Sequence, residues 1–231
     1  MRTILTALIL TIATQAGAEC GNLCDHYWWK TTTEADLQAE LDAGADFMAR
    51  TNYGDTPLHR VSSSGNSLFI IALLDAGADV MARDNGGNTP LHETAGYGSP
   101  DNIQALLDAG TNINARANDG RTPLLTATAF GTLANIKALL DAGADVMARD
   151  NGGRTPRHWA VTCHLSPVTC HLSPVTCQFG CELGRLQVLL AASADAKSKD
   201  KEGKTPCDLA QKNEDLKGTK AHWPLNDAQY N

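Results

Sequence analysis

The stretch LLDAGADVMARDNGGNTPLH, residues 73–92, decides the fold of this chain because it recurs at a fixed period. It returns with few changes as LLDAGTNINARANDGRTPLL at residues 106–125 and as LLDAGADVMARDNGGRTPRH at residues 139–158, so the first three copies start 33 residues apart. A more divergent copy, LLAASADAKSKDKEGKTPCD, occupies residues 189–208. A fixed period of this length indicates a repeat architecture, in which each unit buries its apolar side against its neighbours.

Each part of the repeated phrase has a local structural role. Thr-Pro predicts the start of a helix, because the threonine hydroxyl caps free amide groups and proline at the first helical position loses no hydrogen bond. Leu-Leu-Asp-Ala-Gly predicts the end of a second helix, with a glycine that can adopt the left-handed conformation of a C-cap. Ile70, Leu73 and Leu74 recur at helical spacing in later units, which predicts a buried stripe. One unit is therefore a helix, a tight turn, a second helix and an extended turn.

The TPLH sequence at residues 56–59 and 89–92, together with the period of 33, resembles the signature of the ankyrin repeat. The resemblance covers roughly residues 33–217. It implies an all-α solenoid of stacked ankyrin repeats, with four full repeats between N-terminal and C-terminal capping half-repeats. The boundaries that we expect are a signal peptide at 1–18, an N-terminal cap at 19–50, repeats at 51–83, 84–116, 117–149 and 150–199, a partial repeat at 200–217 and a C-terminal extension at 218–231.

The resemblance also assigns a structural role to the histidines of the motif. In ankyrin repeats the threonine and the histidine of the motif hydrogen-bond to each other and to the backbone. This implies that three pairs are structural and not catalytic: Thr56 with His59, Thr89 with His92, and Thr155 with His158. Leu125 and Asp208 replace the histidine in the third and the terminal unit, so we expect those two units to be held less tightly.

The first eighteen residues have the pattern of a signal peptide. Arg2 is followed by an apolar run over residues 4–13 and by Ala16-Gly17-Ala18, a small-x-small cleavage site. The apolar run is too short for a permanent membrane helix. We therefore expect cleavage after Ala18 and a periplasmic or secreted protein that has no membrane contact after cleavage.

A tandem repeat of seven residues interrupts the fourth unit. HLSPVTCHLSPVTC, residues 164–177, writes one heptapeptide twice, and the interval from Thr155 to Thr205 is 50 residues, which exceeds the period by 17. Deleting residues 161–177 restores the alignment of the unit. One seven-base DNA unit can encode the heptapeptide in frame, so we interpret the insert as an expanded DNA repeat forming a surface loop. A metal-binding site is the alternative, although the wide cysteine spacing lacks the close pairs of structural zinc sites.

The chain has seven cysteines, an odd number, so at least one is unpaired or intermolecular. In an exported protein, Cys20 and Cys24 are predicted to close a small disulfide loop at the N-terminus; a redox or metal pair is the alternative. Tyr27, Trp28 and Trp29 are predicted to form the core of the N-terminal cap, with part of their surface open to solvent; a ligand platform is the alternative. Trp223 is predicted to cover the last helix. The pairing of the other cysteines is left open by the sequence: Cys163, Cys170, Cys177, Cys181 and Cys207.

Composition and motifs argue against several classes of function. The net charge of −7 offers no basic surface for a nucleic acid. The sequence contains no glycine-rich phosphate loop, no nucleophile elbow and no histidine pair at helical spacing with a carboxylate. We therefore expect a protein without enzymatic activity, cofactor or bound metal.

Ankyrin stacks bind other proteins, and the resemblance implies a concave binding face formed by turn tips and first helices. Residues that vary between otherwise near-identical units are the candidates for partner contacts: Tyr53, Asp55, Arg60, Asn88, Glu93, Tyr97, Arg121, Phe130, Arg154 and Trp159. Trp159 beside Arg121 and Arg154 is the predicted contact centre, because Trp, Tyr and Arg are common interface anchors. The alternative is that these residues are solvated or only pack helices. We expect a monomer that binds an unknown protein as adaptor, inhibitor or protector; a metal- or redox-responsive protein using the Cys/His-rich insert is the second hypothesis.

Overall fold

A computed structural model describes residues 21–64, 66–162 and 184–210. Over these residues the regular secondary structure is helical throughout. A short 3-10 helix at Asn22–Cys24 comes first. It is followed by α1 (Trp28–Thr31), α2 (Glu34–Asp42), α3 (Pro57–Ser64), α4 (Ser67–Asp75), α5 (Pro90–Tyr97), α6 (Pro100–Asp108), α7 (Pro123–Phe130), α8 (Leu133–Asp141), α9 (Pro156–Thr162), α10 (184–191) and α11 (Pro206–Ala210). Across the described ranges, each helix is too short or too polar to cross a membrane.

The helices form two parallel rows. The first helices of the units pack in order as α3, α5, α7, α9 and α11, and the second helices pack in order as α2, α4, α6 and α8. Each helix therefore contacts its counterpart one unit away, which is the nearest-neighbour packing of a solenoid. The prediction of stacked helix–turn–helix repeats is confirmed.

The helix boundaries lie where the repeated phrase predicts them. In α7, the side chain of Thr122 accepts a hydrogen bond from the amide of Leu125, and proline occupies the first turn. At the other end of a unit, Gly77, Gly110 and Gly143 have φ angles of 100°, 83° and 89°, which only glycine adopts without strain. The turn glycine Gly87 has a second constraint, because a Cβ atom there would collide with Asn118 of the next unit.

The core is a continuous column of leucine and isoleucine. Residues with no more than 1% exposure occupy the same three positions in successive units: Leu58, Leu91 and Leu124; Ile70, Ile103 and Ile136; Leu73, Leu106 and Leu139. Burial of each side chain stabilises the fold by about 2 kcal/mol. Since these residues belong to one buried cluster that spans the units and neighbouring helices pack on each other, a single unit would leave much of this surface exposed.

The N-terminal cap confirms one aromatic prediction and corrects another. Trp29 is 2% exposed, its Nε1 donates to the carbonyl oxygen of Leu23 at 2.8 Å, and its ring lies 5.9 Å from that of Phe69. Trp28 packs against the same core while partly exposed. The prediction was wrong for Tyr27, which is 74% exposed, because it precedes α1 and points away from the stack, beneath the Lys30 ammonium.

The threonine and histidine of each pair hydrogen-bond to each other and to the backbone, as the resemblance implies, and the structure shows that the histidine also joins neighbouring units. The amide of Thr89 donates to Nδ1 of His92 at 3.1 Å, so Nδ1 is the acceptor and Nε2 carries the proton. That Nε2 donates to the carbonyl oxygen of Arg121 at 3.1 Å in the next unit. His59 and His158 make the equivalent bonds to Asn88 and Lys204. Burial lowers the pKa of all three histidines, and that of His92 to about 4.

The two units that lack the histidine differ from each other. Leu125 is fully buried and carries no polar atom on its side chain, so the bond from ring to next unit is missing there, in line with the expected weaker link. In the terminal unit, the helix cap at Thr205 contradicts the expectation of a looser hold. There the Asp208 carboxylate accepts from the amide and the hydroxyl of Thr205 at 2.8 Å each, because a short carboxylate can reach the same cap as the imidazole.

Two regular series of hydrogen bonds, which the sequence did not lead us to expect, connect the turns. One arginine per unit donates to a carbonyl oxygen of the following unit, as Arg83 does to Arg116 at 2.9 Å. One asparagine per unit donates in the opposite direction, as Asn118 does to Asn85 at 3.1 Å. These bonds keep the turn tips of successive units in register.

The fourth unit contains an unusual core residue. Arg157 occupies the leucine position of the earlier units and is fully buried. Its Nη1 donates to the carbonyl oxygen of Ala194 at 3.2 Å, whereas its Nε and Nη2 atoms find no partner among the described residues. Helix α9 continues through the buried Val161 to Thr162, so the expected insert 161–177 begins within this helix.

Several predictions fall outside the described residues. These are the signal peptide at 1–18, Cys20 and with it the Cys20–Cys24 disulfide, the remainder of the insert at 163–177, Cys181, the end of the partial repeat at 211–217, and the extension with Trp223. They stay predictions.

Candidate functional site

An unbroken run of aromatic and arginine side chains crosses three units. The rings of Tyr97 and Phe130 are stacked, with centroids 6.2 Å apart and an interplanar angle of 20°. The Arg121 guanidinium lies 5.5 Å from the Phe130 ring centre and 5.4 Å from that of Trp159. The Arg154 guanidinium lies 5.5 Å from the Trp159 ring centre. We call these five residues the aromatic–arginine ladder.

The ladder follows from the repeat register. Tyr97 and Phe130 are the last residues of α5 and α7 and lie 33 positions apart. Arg121 and Arg154 each precede the threonine of a Thr-Pro start, again 33 positions apart. Because equivalent positions stack in a solenoid, residues far apart in sequence become neighbours. The five residues lie on the side of the first helices and turns, as the sequence predicts for the contact centre.

Two carboxylates hold the ladder in place. The Asp119 carboxylate accepts from the amide of Arg121 at 2.9 Å and from its Nε at 2.5 Å. The indole Nε1 of Trp159 donates to the Asp150 carboxylate at 2.9 Å. Each cation–π contact adds about 0.5–1 kcal/mol at an exposed site. Contacts within the chain therefore hold the side chains of Arg121 and Trp159, and side chains held in this way lose less entropy on binding.

The ladder combines ordered geometry with accessible surface. Tyr97 and Phe130 are 60% and 51% exposed, although both are large apolar side chains. Arg121, Arg154 and Trp159 are half-buried. An exposed aromatic pair beside arginines has the composition of an interface hot spot.

A cleft of about 370 Å³ extends from Trp159 to the tip of the last turn. Its walls carry both charges: the positive residues are Arg121, Arg154 and Lys201, and the carboxylates are those of Asp119, Asp150, Asp200 and Glu202. Variation between the repeats does not indicate these carboxylates or Lys201 as site residues. The spacing from Asp119 to Arg121 was the available signal, but only the turn geometry shows that the two side chains meet.

The opposite end of the same face is acidic. Asp55 forms an ion pair with Arg60 at 3.1 Å. Burial first, and then the nearby carboxylates of Asp55 and Asp84, raise the pKa of Glu93 to about 7, against the opposing effect of Arg60. The proton on the Glu93 carboxyl therefore exchanges near neutral pH, on a surface that the sequence predicts to bind a partner.

The remaining two predicted residues are separate from the ladder. The Asn88 side-chain Nδ2 donates to the Asp84 carboxylate at 2.9 Å, and the backbone carbonyl oxygen of Asn88 accepts from Nε2 of His59. Both groups of Asn88 thus have structural bonds. Tyr53 lies in the first turn with 74% exposure.

Over the described ranges, no cluster of three or more histidine, cysteine, aspartate or glutamate side chains has the geometry to hold a metal ion. The histidines and cysteines of the insert lie outside these ranges.

Comparison with known families agrees with this geometry. The family model described as ankyrin repeats (3 copies) matches residues 33–117 and 95–172, which together span more than half of the chain. A search of curated proteins found no match.

Proposed function

Because the chain belongs to the ankyrin repeat family, whose repeats serve as protein-interaction modules, we propose that it binds one partner protein through the aromatic–arginine ladder. The observation that carries this proposal is the stacked and exposed Tyr97–Phe130 pair beside the guanidinium of Arg121. Large apolar rings in water are costly unless a partner covers them.

The chemistry of the ladder indicates what the partner presents. Tyr97 and Phe130 offer apolar surface, and Arg121 and Arg154 offer cationic hydrogen-bond donors next to it. A partner segment with an apolar side chain followed by a carboxylate would satisfy both. The positive and negative charges of the adjacent cleft would then fix the register of that segment, since mismatched charges are penalised.

We place this interaction in the periplasm or outside the cell. Support comes from the signal-peptide pattern of residues 1–18. In this setting the chain acts as a monomeric, non-enzymatic adaptor, inhibitor or protector of a partner enzyme. The Cys20–Cys24 disulfide belongs to the same proposal, because disulfides persist in exported proteins.

A capture experiment with a matched control tests the binding face. Residues 19–231 are immobilised, exposed to periplasmic and culture-medium fractions, and the captured proteins are quantified by mass spectrometry. Tyr97→Ala/Phe130→Ala removes exposed rings of the ladder. Leu68→Ala/Ile71→Ala removes exposed side chains, 53% and 43% accessible, from α4 in the other helix row. The proposal expects a protein that is lost only with the ladder variant; equal capture by all three chains contradicts it.

A further inference from the structure

The three methionines that follow Met1 occupy one position of the repeat. Met48, Met81 and Met147 each lie four residues after the glycine that ends a second helix. In the copy at residues 106–125 Asn114 takes this place, and in the divergent copy at residues 189–208 Lys197 does. A flexible thioether thus recurs at a position where one unit meets the next.

Side chains at this position accept hydrogen bonds from the following unit. The Met81 sulfur accepts from the amide of Asn112 and from the hydroxyl of Thr111, both at 3.3 Å. The Met147 sulfur accepts from the amide of Asp195 at 3.3 Å.

Asn114 makes the same link with an oxygen acceptor. Its Oδ1 accepts from the amide of Asp145 at 2.9 Å. An amide oxygen and a thioether sulfur therefore perform one structural function at equivalent junctions.

Met48 differs from the other two. It is 41% exposed, and within the described residues its sulfur receives no hydrogen bond from the next unit. Met81 and Met147 are half-buried. The chain thus contains two methionines that join repeats and one that does not.

We propose that Met81 and Met147 are oxidation sites at which hydrogen peroxide, or another two-electron oxidant, weakens the junctions between repeats. This inference does not depend on the proposed partner. A sulfur lone pair attacks one peroxide oxygen and the O–O bond breaks. The departing hydroxide takes the proton of the transferred oxygen and leaves as water. Sulfur loses two electrons, peroxide gains them, and the product is methionine sulfoxide.

The geometry explains why the sulfoxide weakens the junction. At 3.3 Å, sulfur and amide nitrogen are in contact, so no oxygen fits between them. Either the new oxygen separates the two units, or the side chain rotates and the amide loses its acceptor. Both outcomes weaken the junction, because the first moves the two units apart and the second removes the hydrogen bond between them. These bonds lie at exposed positions, so a freed amide hydrogen-bonds to water and each lost bond costs its net contribution only.

Peroxide titration of residues 19–231 tests the proposal. Peptide mass spectrometry follows sulfoxide at each methionine, and circular dichroism follows the melting temperature. We expect Met48 to react first with little effect, and conversion of Met81 and Met147 to lower the melting temperature by about 4 °C. Full conversion of both with an unchanged melting temperature would overturn the proposal. So would their resistance to peroxide in the folded chain after Met48 has reacted completely.

Asparagine variants separate this effect from cysteine oxidation. Met81→Asn/Met147→Asn copies the natural Asn114 junction and keeps every cysteine. If the methionines cause the effect, we expect peroxide to leave the melting temperature of this variant unchanged. Met48→Asn is the matched control and should behave as the parent chain. Should the double variant fold poorly, Asn114→Met serves instead, because it adds an oxidisable junction. We expect peroxide to lower the melting temperature of this variant by more than it lowers that of the parent chain. If peroxide lowers the melting temperature of all variants equally, the loss comes from other residues, and the proposal is refuted.

Discussion

The Arg121 guanidinium lies 5.4 Å from the centre of the Trp159 ring, although the two residues belong to different units. The same guanidinium also contacts the Phe130 ring at 5.5 Å and is anchored by Asp119. Arg121 is therefore the link between the two aromatic parts of the ladder. A partner that lies on this face would contact the cation and the rings together.

Replacement of Arg121 should weaken partner binding more than it weakens the fold. We expect Arg121→Ala to lower the affinity for the captured partner about 30-fold, or about 2 kcal/mol, as for an interface hot spot. Isothermal titration calorimetry measures this effect. Lys137→Ala, on the exposed side of α8, also removes one cation and should leave the affinity unchanged. Equal losses in the two variants would indicate long-range charge attraction and not contact at the ladder.

Replacement of the buried arginine should stabilise the stack. Arg157→Leu restores the residue that earlier units carry at this position and removes two guanidinium nitrogens that lack partners among the described residues. Burial lowers the pKa of this guanidinium, because desolvation disfavours the charged form. We expect the free energy of unfolding in urea to rise by about 1–3 kcal/mol. The reverse change, Leu124→Arg, should lower the free energy of unfolding by more than about 3 kcal/mol. If Leu124→Arg stabilised the chain, a buried arginine would not be unfavourable in this core, and the prediction would be wrong.

The buried histidines should make the fold sensitive to acid. Burial lowers the pKa of His92 from its ordinary value of 6.5 to about 4, so the unfolded chain binds this proton more readily than the folded chain. The resulting stability is present above pH 6.5 and is lost as the pH falls towards 4, with a cost of about 2 kcal/mol at pH 5. His92→Leu, which copies the natural Leu125, should flatten this slope in urea unfolding between pH 7 and pH 5. An unchanged slope would assign the acid sensitivity to other groups.

Glu93 should act in the opposite direction. Its pKa is raised from 4.5 to about 7, first by burial and then by Asp55 and Asp84, so the folded chain holds this proton more tightly. Stability is therefore lost as the pH rises from 4.5 towards 7. We expect Glu93→Gln to stabilise the chain at pH 8 by about 2 kcal/mol, reduced from the full value because the side chain is partly accessible. At pH 4 the variant and the parent should unfold at the same urea concentration.

Local signals in the sequence predict the fold well because they act within a few residues. The threonine cap of α7 and the left-handed Gly77 need only their own neighbours, and both lie where expected. The prediction that Tyr27 is buried was wrong because its exposure depends on the orientation of the four-residue helix α1. The expectation of a looser terminal unit was wrong at the Thr205 cap, because the Asp208 carboxylate accepts the same hydrogen bond from the Thr205 amide as a histidine ring does in the other units.

The ladder is predictable in part. Variation between units selects Trp159, Arg121 and Arg154, and the fixed period places them near one another. The roles of Asp119 and Asp150 depend on side-chain directions in the turns, for which the sequence has no periodic signal. The repeat period aligns the methionines with Asn114, but it does not reveal the role of this position. That role, accepting a hydrogen bond from the next unit, is seen in the structure at Asn114.

Site-specific photocrosslinking in the producing cell tests the central claim, that the ladder is a protein-binding surface, most directly. A benzophenone amino acid replaces Phe130 in one variant and Ile71, exposed on α4, in the other. After irradiation, the account predicts a covalent adduct with one partner protein for the Phe130 variant and none for the Ile71 variant. An adduct formed only at Ile71, or no adduct at Phe130 from a folded chain, would contradict it.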